Sequence, residues 1–200
     1  MGDIVYRYKE NIYLNITNKC PCRCTFCIRG QKEAIGEAKE LWHEKEPTLE
    51  EIEESIDAFD IPKGAGVVFC GYGEPLERLD ELIAVSRYLK ETYCASIRVN
   101  TNGLGNLIHG RDIVPELCQA VDSVSVSLNM PDAKSYCEIV RPKYGEKSFD
   151  EMLKFAVECR KYLEDVRFSV VDVIGVDQVE KSRILAEKLG IPLRVRHYSQ

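Results

Sequence analysis

The stretch Cys20-Pro21-Cys22-Arg23-Cys24-Thr25-Phe26-Cys27 puts four thiols into eight residues. Read as C-x3-C-x2-C, it offers Cys20, Cys24 and Cys27 as three thiolates of one short loop. Soft sulfur ligands at this spacing suit an iron–sulfur cluster or zinc. An ordinary cubane takes four cysteines. A cubane held by three would keep one iron open, and open coordination positions mark catalytic rather than structural sites. Tetrahedral zinc, completed by Cys22 or a distant cysteine, fits the same spacing. A disulfide framework fits poorly, because the chain has nine cysteines, an odd number, and its start lacks the apolar stretch of a secretory signal. Cys22 is then the surplus thiol of the loop.

The elements around the loop can be read from hydrophobic period and punctuation. Residues 11–17 alternate polar and apolar side chains, which predicts a first strand feeding directly into the cysteines. Residues 28–47 are polar and carry Trp42 and His43. They are expected to be a lid or irregular segment, with Trp42 either capping a pocket or packed outside and His43 at the surface. Thr48 and Glu51 form a capping box before a helix whose apolar face is Leu49, Ile52, Ile56 and Phe59, closed by Ile61-Pro62-Lys63-Gly64. Residues 66–70 form a short apolar run, as in a strand buried on both faces, and Gly71-Tyr72-Gly73-Glu74-Pro75 follows at once. Glycines placed so let a backbone approach a ligand closely.

A helix is predicted over residues 77–91, with Leu79, Leu82, Ile83 and Leu89 inward, then a strand over 96–100 ended by Thr101-Asn102-Gly103, a turn signal. A short helix covers 113–121, and residues 122–129 alternate strictly, with Val124, Val126 and Leu128 on one face and Ser127 and Asn129 on the other. Ser148 and Glu151 read as a second capping box. A strand over 166–175, a helix from Asp177 to a glycine cap at Gly190, and a last strand over 191–198 that brings out His197 and Tyr198 complete the pattern. Six strands alternating with helices at a period of about thirty residues predict an α/β fold with a parallel sheet and right-handed crossovers.

With these residues in view, the chain resembles the radical S-adenosylmethionine (SAM) superfamily. Cys20, Cys24, Phe26 and Cys27 look like its C-x3-C-x-aromatic-C signature, and Gly71-Tyr72-Gly73-Glu74-Pro75 is similar to its GGEP motif, with tyrosine at the middle glycine. The resemblance implies an open partial (β/α)6 TIM-like barrel formed by residues 1–200 as a single domain, with the cluster loop after strand 1. It implies a 4Fe–4S cluster on Cys20, Cys24 and Cys27 whose fourth iron is chelated by SAM. One electron then cleaves SAM to methionine and a 5′-deoxyadenosyl radical, which abstracts hydrogen from a substrate.

The same resemblance assigns the SAM amino group to backbone near Tyr72 and Gly73 and to the Glu74 carboxylate. It gives the ribose to Asn129, the SAM carboxylate to Ser127 and Arg141, and the adenine to the end of the fifth strand at Val173, Ile174 and Gly175. Asn100 or Asn102 is a further candidate contact. The later motifs depart from the family's fuller G-x-I-x-G-x-x-E pattern. The GYGEP variant looks most like the small TatD-linked members, which implies a TatD-type hydrolase or a macromolecular substrate as partner, besides an electron donor such as flavodoxin or ferredoxin. A glycyl-radical activase, a 7-carboxy-7-deazaguanine synthase-like enzyme and a zinc-stabilised binding module are the rivals.

A formal charge of -6 over 200 residues argues against broad non-specific nucleic-acid binding and leaves room for a local basic patch. No apolar run is long enough to span a bilayer. A cytoplasmic protein with reduced thiols is expected. Cys70, beside the glycine turn, is a candidate catalytic thiol, and Cys94, Cys118, Cys137 and Cys159 are expected to be small buried hydrophobes.

Overall fold

A computed structural model describes residues 2–30 and 35–197, so Tyr198 lies outside the described residues. The chain divides into two compact units. The first comprises Met1–Cys20, Ile28–Asn100 and Gln119–Asp122, and the second Pro21–Cys27, Thr101–Cys118 and Ser123–Gln200.

The first unit opens with a hairpin that the strand pattern missed. β1 (Val5–Tyr8) pairs antiparallel with β2 (Asn11–Leu14), Val5 opposite Leu14 and Tyr8 opposite Asn11. Its turn carries no Gly, Pro or Asn, and Lys9 itself takes the left-handed conformation at φ 57°. The sheet is therefore mostly rather than wholly parallel. β2 lies parallel to β3 (Gly66–Phe69), and β3 parallel to β4 (Ser96–Thr101). α1 (Leu49–Asp57) starts on the expected capping box: the Thr48 hydroxyl accepts from Glu51 N at 3.1 Å, and the Glu51 carboxylate accepts from Thr48 N at 2.8 Å. The helix closes at Ala58, ahead of the Pro-Lys-Gly stretch. A 3-10 turn (Pro75–Arg78) precedes α2 (Leu79–Tyr93). The inner face of α2 uses Val85 and Ser86 with Leu79, Leu82 and Leu89, whereas Ile83 is only half-buried.

The second unit holds three parallel strands, β5 (Ser123–Ser127), β6 (Asp165–Val171) and β7 (Leu193–Arg196), in that order, with Val126 opposite Phe168 and Val170 opposite Val195. The helices are α3 (Gly105–His109), α4 (Val114–Ala120, of which residues 119–120 count with the first unit), α5 (Ala133–Val140), α6 (Lys147–Cys159) and α7 (Val176–Lys188). Val124, Val126, Tyr136, Met152, Phe155 and Phe168 are fully buried in its core. β6 ends before residue 175, as Asp172–Ile174 form a 3-10 turn. Among the described residues no helix is long and apolar enough to cross a membrane.

The second capping box does not form. α6 starts at Lys147 with Glu146 at its N-cap and no side-chain cap. The Gly145 turn shifts the helix start, because the Gly145 carbonyl accepts from Ser148 N at 3.0 Å and so does the work of a cap. Ser148 is left inside the first turn, fully buried, its hydroxyl without a partner. Its removal should be nearly free, since a buried unsatisfied hydroxyl costs stability. Urea unfolding should place Ser148→Ala at or above the parent, and Thr48→Ala about 1 kcal/mol below it.

Candidate functional site

The exit of β2 is organised by Asn15, which is buried and makes bonds in four directions. Its Nδ2 donates to the carbonyls of Leu41 (2.7 Å) and Asp3 (3.3 Å), and its Oδ1 accepts from Tyr72 N (3.2 Å). Its own carbonyl lies 2.9 Å from His43 Nε2. Three residues on, Asn18 and His43 exchange a reciprocal pair: Asn18 Nδ2 donates to the His43 carbonyl at 2.7 Å, and His43 N donates to Asn18 Oδ1 at 3.3 Å. The last residues before Cys20 are thus held to residues 41–43.

His43 is consequently not at the surface, as expected from its polar surroundings, but 2 % exposed. Trp42 is 47 % exposed, with the Arg29 guanidinium 5.0 Å from its ring centroid. The segment carrying both is no free lid over its described part. Asp3 N donates to the Glu40 carbonyl (2.6 Å), Lys39 N to the Asp3 carboxylate (2.6 Å) and Glu37 N to the Arg7 carbonyl (2.9 Å). Residues 31–34 lie outside the described residues.

The glycine turn after β3 docks on the same strand exit. Side chains at Gly71 or Gly73 have no room: a Cβ at Gly71 would meet the Asn15 side chain, and one at Gly73 would fall 2.7 Å from the Lys19 carbonyl oxygen and closer to that of Thr17. Glu74 N donates to the Lys19 carbonyl at 2.7 Å. Gly71 therefore admits the Asn15 side chain, and Gly73 the protein's own backbone. Glu74 is buried, and its Oε1 accepts from Leu76 N at 3.2 Å, capping the 3-10 turn. The Tyr72 ring points inward, into a cluster with Tyr6 and Leu41. Tyr6 donates its hydroxyl to the Cys70 carbonyl at 2.9 Å, and burial above all raises its pKa. Cys70 is half-buried.

The chain passes into the second unit between Cys20 and Pro21. There the cysteine loop is laced to the end of α5: Arg23 N donates to the Val140 carbonyl (3.0 Å), Thr25 N to that of Ile139 (2.9 Å), and Lys143 N to that of Pro21 (2.8 Å). Cys27 N donates to the Cys24 carbonyl at 3.1 Å, closing a turn that brings these two cysteines onto one tight bend. Cys20, Cys24, Cys27 and Phe26 are half-buried. Cys22 is buried, its Sγ accepting from Asn102 Nδ2 at 3.6 Å, while Asn102 Oδ1 accepts from Leu104 N at 2.9 Å. The Thr-Asn-Gly sequence is thus a turn, as its composition suggested, and also the clasp on Cys22.

At the end of β5, Ser127 is half-buried and Asn129 adopts φ 59°. Asn129 is 5 % exposed, and its Oδ1 is buried with no partner. Arg141 caps α5 in the left-handed region (φ 50°), donating its N to the Cys137 carbonyl; its side chain is exposed and, among the described residues, makes no ion pair. Val173 is half-exposed in the turn after β6, and Gly175 faces open space. His197 is exposed, with Nδ1 2.8 Å from the Asp172 carboxylate.

The remaining cysteines divide. Cys118 and Cys159 are buried as expected, the Cys159 thiol donating to Cys118, which lowers the pKa of Cys118 and raises that of Cys159. Cys137 is half-buried and Cys94 exposed, so the expectation fails there: Cys94 is the left-handed C-cap of α2, outside the helix's apolar face.

The sequence pattern of the radical SAM superfamily matches residues 14–183. The chain belongs to the radical SAM superfamily. Members of this family are enzymes that use a 4Fe–4S cluster and SAM. The dual-specificity RNA methyltransferase RlmN of Halorhodospira halophila is 28 % identical over 192 residues, which cover 88 % of this chain and 48 % of RlmN. The GTP 3′,8-cyclase of Alkaliphilus oremlandii is 25 % identical over 202 residues, covering 98 % of this chain and 58 % of the cyclase. This radical SAM chain thus spans about half the length of the curated relatives it matches. A radical SAM methyltransferase from Sphaerobacter thermophilus shares the fold at TM-score 0.56 and 14 % identity, covering 98 % of this chain and 69 % of that one. Native anSMEcpe with bound AdoMet does so at TM-score 0.59 and 17 % identity, covering 92 % of this chain and 50 % of that one.

The residues present fit the family's cofactors by donor chemistry. The three thiols of the loop are in no disulfide and are only half-buried. Thiolates are the ligands that iron–sulfur clusters take. Among the described residues no three His, Cys, Asp or Glu side chains already stand together at ion-holding range, so the loop holds its thiols in sequence rather than as a finished cage. The buried, unpartnered Oδ1 of Asn129 and the buried carboxylate of Glu74 are acceptors of the kind that ribose hydroxyls and an ammonium require.

Proposed function

We propose that this chain is a radical SAM enzyme core in which Cys20, Cys24 and Cys27 hold a 4Fe–4S cluster and the remaining iron takes SAM. When bound, cluster and SAM together supply a 5′-deoxyadenosyl radical that removes hydrogen from a substrate. The observation that carries this is the cysteine loop of a family member, with three half-buried thiols at the signature spacing and the surplus Cys22 bonded to Asn102.

The chain's own residues have separable roles in this reading. Glu74 accepts from the SAM ammonium, with backbone at Tyr72 and Gly73; the Tyr72 ring, packed inward, takes no part. Asn129 Oδ1 accepts from a ribose hydroxyl. Ser127 donates to the SAM carboxylate, and the Arg141 guanidinium forks onto it. Val173 and Gly175 border the adenine, and Phe26 shields the loop. The strands β2 to β7 with their helices make one core domain of open partial (β/α)6 barrel type in a reducing cytoplasm. The GYGEP sequence supports placement with the small TatD-linked group, with a TatD-type hydrolase or a macromolecular substrate as partner and flavodoxin or ferredoxin as electron donor.

The test is anaerobic reconstitution with iron and sulfide, reduction by dithionite with SAM, and assay of 5′-deoxyadenosine. Its formation is expected. Asn129→Ala should raise the SAM concentration needed for half-maximal formation by about tenfold, the loss of one hydrogen bond made in a buried site. Protein that holds zinc, lacks acid-labile sulfide and leaves SAM intact would sink the proposal.

A further inference from the structure

The chain is acidic overall, yet the residues laced to the cysteine loop are not. The stretch Arg141-Pro142-Lys143-Tyr144-Gly145-Glu146-Lys147 carries three cations and one carboxylate in a chain of net charge -6. Arg23, inside the cysteine loop, adds a fourth cation. Arg23, Arg141, Lys143 and Lys147 are all exposed, and none of them makes an ion pair among the described residues. The Lys143 and Lys147 ammonium groups both sit over the Tyr144 ring, 5.7 and 5.9 Å from its centroid, which organises them on one surface. The three backbone bonds from Arg23, Thr25 and Lys143 join this stretch to the loop that carries Cys24 and Cys27.

We propose that Lys143 and Lys147, gathered on Tyr144 beside the cysteine loop, form with the Arg23 of that loop the docking surface for an acidic one-electron donor protein of the flavodoxin or ferredoxin kind. This rests on the reading that the loop holds a reducible cluster. A local positive patch on an acidic protein is the arrangement that steers an acidic partner and turns it to face one way. Redox encounters use small interfaces held by charge more than by area, so a few exposed cations suffice. A patch that recognised nucleic-acid phosphates would share the charge. What favours the donor is place: the patch is built from the backbone that holds the cysteines, and an electron has to arrive at those sulfurs.

The experiment uses the reconstituted holoenzyme and two reductants, dithionite and a reduced acidic flavodoxin. The paired variant Lys143→Glu/Lys147→Glu should keep its dithionite-driven 5′-deoxyadenosine rate within about twofold of the parent, while its flavodoxin-driven rate falls by about tenfold or more. The parent's flavodoxin-driven rate should fall as salt rises, as charge screening requires, and that dependence should flatten in the variant. Lys143→Arg/Lys147→Arg should restore both, which separates lost charge from a damaged fold. Equal flavodoxin-driven rates in parent and Glu variant would overturn the proposal. So would loss of binding to a single-stranded RNA oligonucleotide with the flavodoxin rate unchanged, which would make this a nucleic-acid surface. If dithionite yields no 5′-deoxyadenosine even in the parent, the cluster reading fails. Docking is then decided by titrating flavodoxin against parent and Glu variant, where equal affinity rejects it.

Discussion

Alanine at any one of Cys20, Cys24 or Cys27 is expected to reduce 5′-deoxyadenosine formation to background and to strip most of the bound iron and sulfide. The loop supplies three thiols at the signature spacing, and a cluster held by two of them has lost a third of its protein ligands. Alanine at Cys22 should act in the opposite sense. Its thiol is buried and accepts from Asn102, so the substitution should lower stability while leaving iron content and SAM cleavage near the parent's. Iron and sulfide analysis beside the product assay reads both. The ligand set is wrong if Cys22→Ala loses the cluster while one of the other three variants retains it.

A methyl group at Gly73 is expected to be nearly as damaging, by a route that involves no ligand. The added Cβ would overlap the carbonyl oxygens of Thr17 and Lys19, which are backbone and cannot rotate away. Either the glycine turn or the approach to Cys20 has to move. Forced overpacking of this kind costs about 3 kcal/mol. Because Glu74 N is bonded to Lys19 O, the displacement also carries the Glu74 carboxylate with it. Gly73→Ala should lose stability in urea unfolding and also lose SAM affinity. A parent-like affinity in Gly73→Ala would mean that Glu74 does not depend on this docking. Glu74→Gln, which keeps the shape and removes the charge, should lose affinity with little change in stability.

The local grammar of this chain was largely legible. Hydrophobic period placed all six parallel strands, and the Thr48 box and the short helix before β5 fall where the residues put them. The errors have physical causes. β1 escaped because its turn is made by a lysine in a conformation that lysine rarely adopts. Ser148 mimicked a cap because composition does not reveal that the Gly145 turn starts the helix two residues sooner. For the proposed site, spacing singled out the cysteines and the family resemblance singled out Glu74. Asn15, Asn18 and His43 could not be singled out, because their bonds reach 12 to 57 residues along the chain and carry no periodic signal. The one hint was an asparagine at the exit of the alternating strand.

The lacing of the cysteine loop to Ile139, Val140 and Lys143 also sets an order of events during synthesis. The thiols leave the ribosome well before their backbone partners at Ile139, Val140 and Lys143, and chains fold largely as completed units emerge. Until then the nascent loop is a set of loose thiols, open to oxidation and to stray metal. Cluster delivery has its proper moment after Lys143 has emerged, and ribosome-bound chains halted before Ile139 would present the cysteines without the frame that holds them.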